Sequence, residues 1–594
     1  MKRTIFSLLL FFGILVSAQA RVRTFHLSDY GVRPSVSSAD NVAPLVRKAL
    51  ERIRAEVGRN DKSVLLLDSG TYHFYPEGAT VREFYISNHD QDNPKRVGIC
   101  LEDWTGLTLD GQGARIVCHG QMLPFSLLRS HKCTLRRLSI DFQTPHIAQV
   151  EIVRNLGADG IVFRPDSEVQ WSLTADSLFT HSGLGWSYTP ECGMAFEPQT
   201  RHIVYRTSDI VFNLHGCIPQ ADGTVLAPRW TDERLPAGTR VAMRTYKRPA
   251  PGIFLSENTD TRLEDITVFY AEGMGLLAQL CENITLDRFN VCLKGDTDPR
   301  YYTTQADATH FSGCKGLIRS EHGLYENMMD DAINVHGTYL KITRRIDSKT
   351  LEACYMHSQS WGFKWGEAGD AVQFVRSRTM EAVGTNQLQR ITPLDAPDSH
   401  GARTFRLTFR DNLPEEIDGQ TPFGVENLTW TPRVIFRHNI VRNNRARGAL
   451  FSTPRKVLCA DNLFDHVSGC AILLCGDCNG WYETGACREV SIRHNVFRNV
   501  LTSPFQFTAA VISIYPEIPD LAHQKAYFHG GRRGAIRIED NRFETFDAPL
   551  LYAKSVSGLR YRHNTVVHTD AYAPYLPNRQ AVTLERVEKA EIEE

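Results

Sequence analysis

The chain has 594 residues, with 67 Lys and Arg against 68 Asp and Glu, a net charge of −1. So even a balance excludes nucleic acid or an anionic membrane as the main partner, because bulk phosphate binding needs clustered positive charge. Hydrophobic content of 42% and charged content of 23% exclude a disordered chain and fit a globular one with a sizeable core.

Met1-Lys2-Arg3, an apolar run from Ile5 to Val16 and then Ala18-Gln19-Ala20 make a secretory signal, residues 1–20, cleaved after Ala20. The run is shorter than the ~20 residues that span a bilayer as a helix. No later segment is apolar enough, so membrane insertion is not expected. Removing Lys2 and Arg3 leaves 65 basic and 68 acidic residues, a net charge of −3. The mature protein is expected to be exported, to a bacterial periplasm or beyond it.

Residues 21–150 open with Asp29-Tyr30-Gly31, followed by a helical pattern from Asn41 to Val57 with apolar Val42, Leu45, Val46, Leu50 and Ile53. Val64-Leu65-Leu66-Leu67 and Gly70-Thr71-Tyr72 follow. This resembles the capped entrance of pectin-lyase-like right-handed β-helices, where a helix covers the open end of a stack of coils.

The repeat itself is clearest in residues 433–578. An apolar strand ending in Asn recurs at Asn439, Asn462, Asn495, Asn541 and Asn564, at intervals of 23, 33, 46 and 23. The second interval reads as one coil plus an insertion of ten, and the third as two units or one coil with a long loop. In residues 251–340, Ile266-Thr267-Val268 and Phe289-Asn290-Val291 are again 23 apart. A period near 23 without a 3.6-residue periodicity predicts an all-β solenoid of stacked coils. The Asn residues read as structural: left-handed backbone at a bend, with side-chain hydrogen bonds along the stack. Residues 151–250 and 341–432 lack this phase and are rich in short strands with turn signals, which predicts two inserted small β-barrels. The tail, 579–594, is charged and peripheral.

Polar residues concentrate where the insertions flank the coils. Asp307-Ala308 and Asp331-Ala332 are 24 apart, one coil, so stacking makes them neighbours, and Asp330 adds a third carboxylate. Like charges so close raise at least one pKa, and glycoside hydrolysis needs one protonated and one ionised carboxyl group. The competing reading is a calcium site, which wants six to eight oxygen ligands, or exposed turn aspartates. Asp296-Thr297-Asp298 reads as a turn. Candidates for gripping a sugar are His310, Asn334 and His336 on the Asp-bearing segments, Arg445, Arg447 and Arg455 on the next coil, and Trp361 and Trp365 as stacking platforms.

The fourteen Cys are spread from Cys100 to Cys487, several inside apolar strands where Cys acts as a small hydrophobe. Cys475-Gly476-Asp477-Cys478 has no second CxxC or His pair after it, so a local disulfide or plain thiols are favoured over zinc, and no metal or other cofactor is expected.

Together the cap, the coils, the two insertions, Ile86-Ser87-Asn88-His89-Asp90-Gln91 and the Asp307 plus Asp330-Asp331 spacing resemble glycoside hydrolase family 110. That family comprises exo-acting α-1,3-galactosidases, including enzymes that remove the terminal galactose of the blood group B antigen. The resemblance implies a glycan substrate with terminal α-1,3-linked galactose, inversion of configuration and no metal. A further likeness to inverting polygalacturonases implies Asp330 as general acid, with Asp307 and Asp331 holding and deprotonating water. The polygalacturonase Gly-His-Gly and Arg-Ile-Lys pair is missing. A pectin-type hydrolase or lyase and a non-catalytic β-helical glycan-binding protein are the alternative readings.

Overall fold

Short apolar strands repeating every 23 residues cannot bury their inner faces singly, so they stack. The protein, a computed structural model describing residues 22–58 and 61–593, does this with two long, mainly parallel sheets of 20 and 14 strands. The secretory signal read at residues 1–20 lies outside the described residues. Ile266 lies opposite Phe289 and Val434 opposite Val457 in parallel register, each one period apart. Val457 then pairs with Val490, Val490 with Ile536 and Ile536 with Leu559. The 46-residue interval is therefore one coil with a long loop.

The recurring Asn residues form a ladder. The backbone N–H of Asn439 donates to Asn462 Oδ1, that of Asn462 to Asn495, Asn495 to Asn541 and Asn541 to Asn564, at 3.0 to 3.1 Å. Each bend thus fills its hydrogen bonds inside the core, where an orphaned donor is costly. The left-handed backbone belongs to the residue before each Asn: His438, Asp461, His494, Asp540 and His563 have φ between 53° and 58°. The Asn side chain must lie in the core to reach the next coil, so its neighbour makes the turn.

At the open end, the helix Ala43–Glu56 buries Ala43, Val46, Ala49, Leu50 and Ile53 against the core that contains Leu65, Leu107 and Leu109. Leu45, read as part of that face, is 42% exposed, because Ala43, Val46, Leu50 and Ile53 set the covered stripe. The Asp29-Tyr30-Gly31 segment is a 3-10 turn, Leu27–Tyr30, closed by left-handed Gly31, and the strand precedes it at Val22–His26.

Two units leave the coils. The first, from Ala148–Asn155 to Arg240–Arg244, is a seven-stranded antiparallel sheet with a separate three-stranded sheet beside it. It wraps its own core of Ile152, Phe163 and Trp230. The second, from Leu340–Arg345 to Phe423–Asn427, closes into a six-stranded barrel around Phe374, Phe405 and Phe409. All fourteen cysteines are unpaired. In the Cys475–Cys478 loop, Asp477 accepts backbone N–H groups from Asn479, Gly480 and Trp481, and this turn holds the loop.

Asn495→Ala would leave the Asn462 N–H and the Cys459 carbonyl without the partners they have now. The expected cost is about 2–4 kcal/mol, read as a lower urea midpoint with the native circular dichroism spectrum retained before the transition.

Candidate active site

Parallel pairing of Thr309–Ser312 on Ile333–Thr338 sets Thr309 opposite Ile333. Just before these strands, the Ala308 N–H donates to the Asp331 carbonyl at 2.8 Å, which stacks Asp307 beside the Asp330-Asp331 step. Each of the three offers a carboxylate oxygen within 4.8 Å of the other two, and all three are buried. They share one wall of a cavity of about 160 Å³. A larger cavity, about 880 Å³ around Asp298 and Tyr301, contains none of them.

Arginines from separate elements meet the carboxylates. Arg248 donates to Asp330 at 3.2 Å and Arg445 at 3.0 Å, while Arg445 also forks onto Asp209 at 2.6 and 2.8 Å. Arg447 donates to Asp331 from its side chain at 2.9 Å and from its backbone N–H at 3.1 Å. Arg244 and Arg248 arrive on and just after the last strand of the first insertion, Arg240–Arg244; Arg445 and Arg447 come from the coil after the second. These guanidinium groups take the oxygens of Asp330 and Asp331 and offset their charge, so the pair reads as arginine-compensated.

The three carboxyl groups are not equivalent. Burial by itself would raise Asp330, but Arg445, Arg447, Arg248 and Arg244 together bring it below the ordinary carboxylate value. Burial and the Asp330 charge push Asp307 up to about 8, against the pull of Arg248 and Arg447. Asp331 is held well above its ordinary value by burial; Arg447 opposes this, and the charges of Asp330 and Asp307 add to it. Burial and mutual repulsion thus raise Asp307 and Asp331 while the arginines lower Asp330, so the three differ in acidity, as acid–base hydrolysis requires.

His310, Asn334 and Arg447 line the cavity. Asn334 Oδ1 and Arg447 Nε are buried with no hydrogen-bond partner. His336 stands behind His310, their Nε2 atoms 2.7 Å apart, and does not line the cavity. Three other candidates fall away from the site. Trp361 packs 5.4 Å from the Tyr85 ring and donates to the Ser358 carbonyl. Trp365 is in the core of the second barrel, and Arg455 donates to Thr431 and the Leu428 carbonyl. The aromatics in the cavity wall are Tyr246, Trp481, Phe505 and Phe507, with Trp481 stacked on His357 at 4.3 Å. Asn88, Arg244, Arg248 and Glu483 also line it. Asn88 sits in the Ile86–Gln91 segment, whereas the others lie in stretches that carry no repeat phase. Asp298 makes a turn, accepting the backbone N–H groups of Lys294 and Arg300.

A parallel β-helix that presents three carboxyl groups of unlike acidity in one cavity has the make-up of a glycoside hydrolase of the β-helix class. Residues 148–255 match the family model for GLAA-B beta-barrel domain I, and residues 350–420 that for GLAA-B beta-barrel domain II. The chain is 58% identical over 573 residues to the alpha-1,3-galactosidase B of Phocaeicola vulgatus, covering 96% of each. It is 56% identical over 592 residues to that of Bacteroides fragilis, covering 99% of each. Among solved structures, the mannuronan C-5 epimerase AlgE4 A-module of Azotobacter vinelandii aligns with a TM-score of 0.38 at 10% identity, covering 96% of this chain and 100% of the module. The chain belongs to glycoside hydrolase family 110, the α-1,3-galactosidase family.

Raised acid pKa values lower stability as they ionise. Asp307 favours folding fully below its unfolded pKa near ~3.9, and that contribution is lost as pH rises towards its folded value of about 8. Asp307→Asn mimics the protonated form. It should melt on the order of 1–3 °C above the wild type at pH 8 with the gap closing towards pH 4, as followed by calorimetry.

Proposed function

We propose that the protein is an exported exo-α-1,3-galactosidase that releases terminal α-1,3-linked galactose from glycans such as the blood group B antigen, with inversion. The carrying observation is the convergence of Asp307, Asp330 and Asp331 from consecutive coils on one cavity. The cavity, about 160 Å³, is smaller than the ~300–1,000 Å³ of pockets for drug-sized ligands. That size favours one terminal ring over a threaded chain. Near-full-length identity to proteins named alpha-1,3-galactosidase B supports the linkage, and the charged start with an apolar run at Ile5–Val16 supports export.

The polygalacturonase likeness makes Asp330 the general acid that protonates the leaving oxygen, with Asp307 and Asp331 together holding and deprotonating the attacking water. Arg248 and Arg445 fix the Asp330 carboxyl group in the cavity wall. Inverting pairs usually stand ~6.5–9.5 Å apart, wider than the 4.8 Å limit that links the nearest oxygens here. Inversion therefore rests on family membership. Asn334 and Arg447 line the cavity and are placed to hold sugar hydroxyl groups, and His310 contacts Asp307.

NMR of the reaction should show β-galactose forming before the α-anomer; α first would exclude inversion. Asp330→Asn and Asp307→Asn should each lose about 10²–10⁴-fold in kcat on the glycan. Asp330→Asn should recover on 4-nitrophenyl α-galactoside, whose leaving group needs no proton. Asp307→Asn should recover with azide, giving β-galactosyl azide. Recovery in the opposite pattern would exchange the two roles.

A further inference from the structure

Arg445 stands between two carboxyl groups. Its Nε and Nη2 fork onto Asp209 at 2.6 and 2.8 Å, and Nη1 reaches Asp330 Oδ1 at 3.0 Å. Arg248 meets the other oxygen of Asp330, Oδ2, at 3.2 Å. A two-pronged guanidinium–carboxylate contact is stronger than a single one, because both N–H bonds lie along the plane of one carboxylate. Arg445 therefore gives its fork to Asp209 and one N–H to Asp330.

Arg244 joins the same carboxylate, its Nη2 3.8 Å from Asp209 Oδ1. Strand register explains the meeting. Val211 pairs with Cys192, and Cys192 pairs on its other side with Arg244. Asp209 thus enters at the end of the sheet where Arg244 leaves it. The Phe505 ring lies 5.4 Å from the Arg445 guanidinium and the Tyr246 ring 5.5 Å from that of Arg244, so an aromatic face backs each cation. The Asp209 side chain is 25% exposed and is not part of the cavity wall.

Burial raises Asp330, and the guanidinium groups of Arg445, Arg447, Arg248 and Arg244 pull it the other way, each favouring the ionised form. A general acid serves only while it holds its proton. Two of those four groups, Arg445 and Arg244, are the ones Asp209 engages. We propose that Asp209 is a positioning residue that draws Arg445 and Arg244 off the general acid, so that Asp330 keeps its proton until the glycosidic oxygen takes it. The inference rests on the reading of Asp330 as proton donor and deepens it. In the transfer the Asp330 O–H bond breaks as an O–H bond forms on the leaving oxygen, and Arg445 and Arg248 meet the carboxylate left behind. Asp209 exchanges no proton and acts through the arginines.

Other groups face these two carboxyl groups. Asp307, Asp331 and His310 neighbour Asp330, and Cys192 and Tyr246 neighbour Asp209. Burial brings His310 down to about 4 and raises the Cys192 thiol; contact with that thiol and burial push Tyr246 up to about 12. All three are neutral in the working range, and the arginines stay charged throughout it. Loss of the Asp209 charge therefore acts on Asp330 in one direction, towards the ionised form.

The test is the pH profile of galactose release, with kcat and KM separated. Asp209→Asn keeps an acceptor oxygen and removes the charge. Its alkaline limb of kcat/KM should move to lower pH by on the order of one unit. Above that limb kcat should fall about tenfold with KM little changed, and the loss should vanish on 4-nitrophenyl α-galactoside. Asp209→Glu restores the charge and should return the limb to its wild-type position. Arg244→Gln removes one of the two guanidinium groups and should move the limb to higher pH. A limb that stays in place in Asp209→Asn, or that moves the same way in both variants, would overturn the proposal. If Asp209→Asn does not fold, an unmoved or lowered limb in Arg244→Gln overturns it alone. An Asp330→Asn variant that stays inactive on 4-nitrophenyl α-galactoside would instead remove the reading of Asp330 as donor.

Discussion

The parallel register that sets Thr309 against Ile333 is the constraint on which the site depends. Backbone pairing fixes the vertical spacing of the coils, and with it the distance between carboxyl groups 24 residues apart. Side chains so placed cannot relax away from one another without breaking the ladder beneath them. The repulsion therefore appears as displaced protonation, with Asp307 raised and Asp330 lowered. Rigid β-stacking turns an electrostatic cost into carboxyl groups of unlike acidity held side by side.

The coils alone would not suffice. The lowered Asp330 depends on guanidinium groups supplied from outside its own coil: Arg248 at the exit of the first insertion and Arg445 one coil on. Breaking a buried pair strands a charge and typically costs about 3–5 kcal/mol. The first insertion is thus tied energetically to the chemistry as well as forming a wall. Arg445 is itself oriented by Asp209 of that insertion, so the two parts of the chain hold each other in place.

Much of this was legible in the sequence because a solenoid writes its geometry as a period. Asn439 to Asn564, Ile266 with Phe289, and Asp307 with Asp331 are related by one rule, and each pair meets in space. Residues off the rule were not legible. Arg244, Arg248 and Glu483 reach the cavity from insertions whose folding is set by their own cores, at no fixed distance from the acids. Glu483 lies inside the segment from Cys475 to Cys487, where the cysteine spacing drew attention to the wrong side chains. Trp361 looked like a sugar platform by residue type, but packing on Tyr85 decided its place. Proton location was illegible for a different reason: it depends on burial and on arginines that only the fold brings together.

The asparagine ladder has a consequence for how such a protein can change. Intervals of 23, 33 and 46 residues all end on the same bond to the next asparagine. Each turn is thereby re-indexed, and extra chain added at one bend passes no misalignment to the turns above it. Loops can lengthen, shrink or be replaced around an unchanged chemical centre. Selectivity for what surrounds the cleaved galactoside is then free to diversify without the reaction itself having to be reinvented.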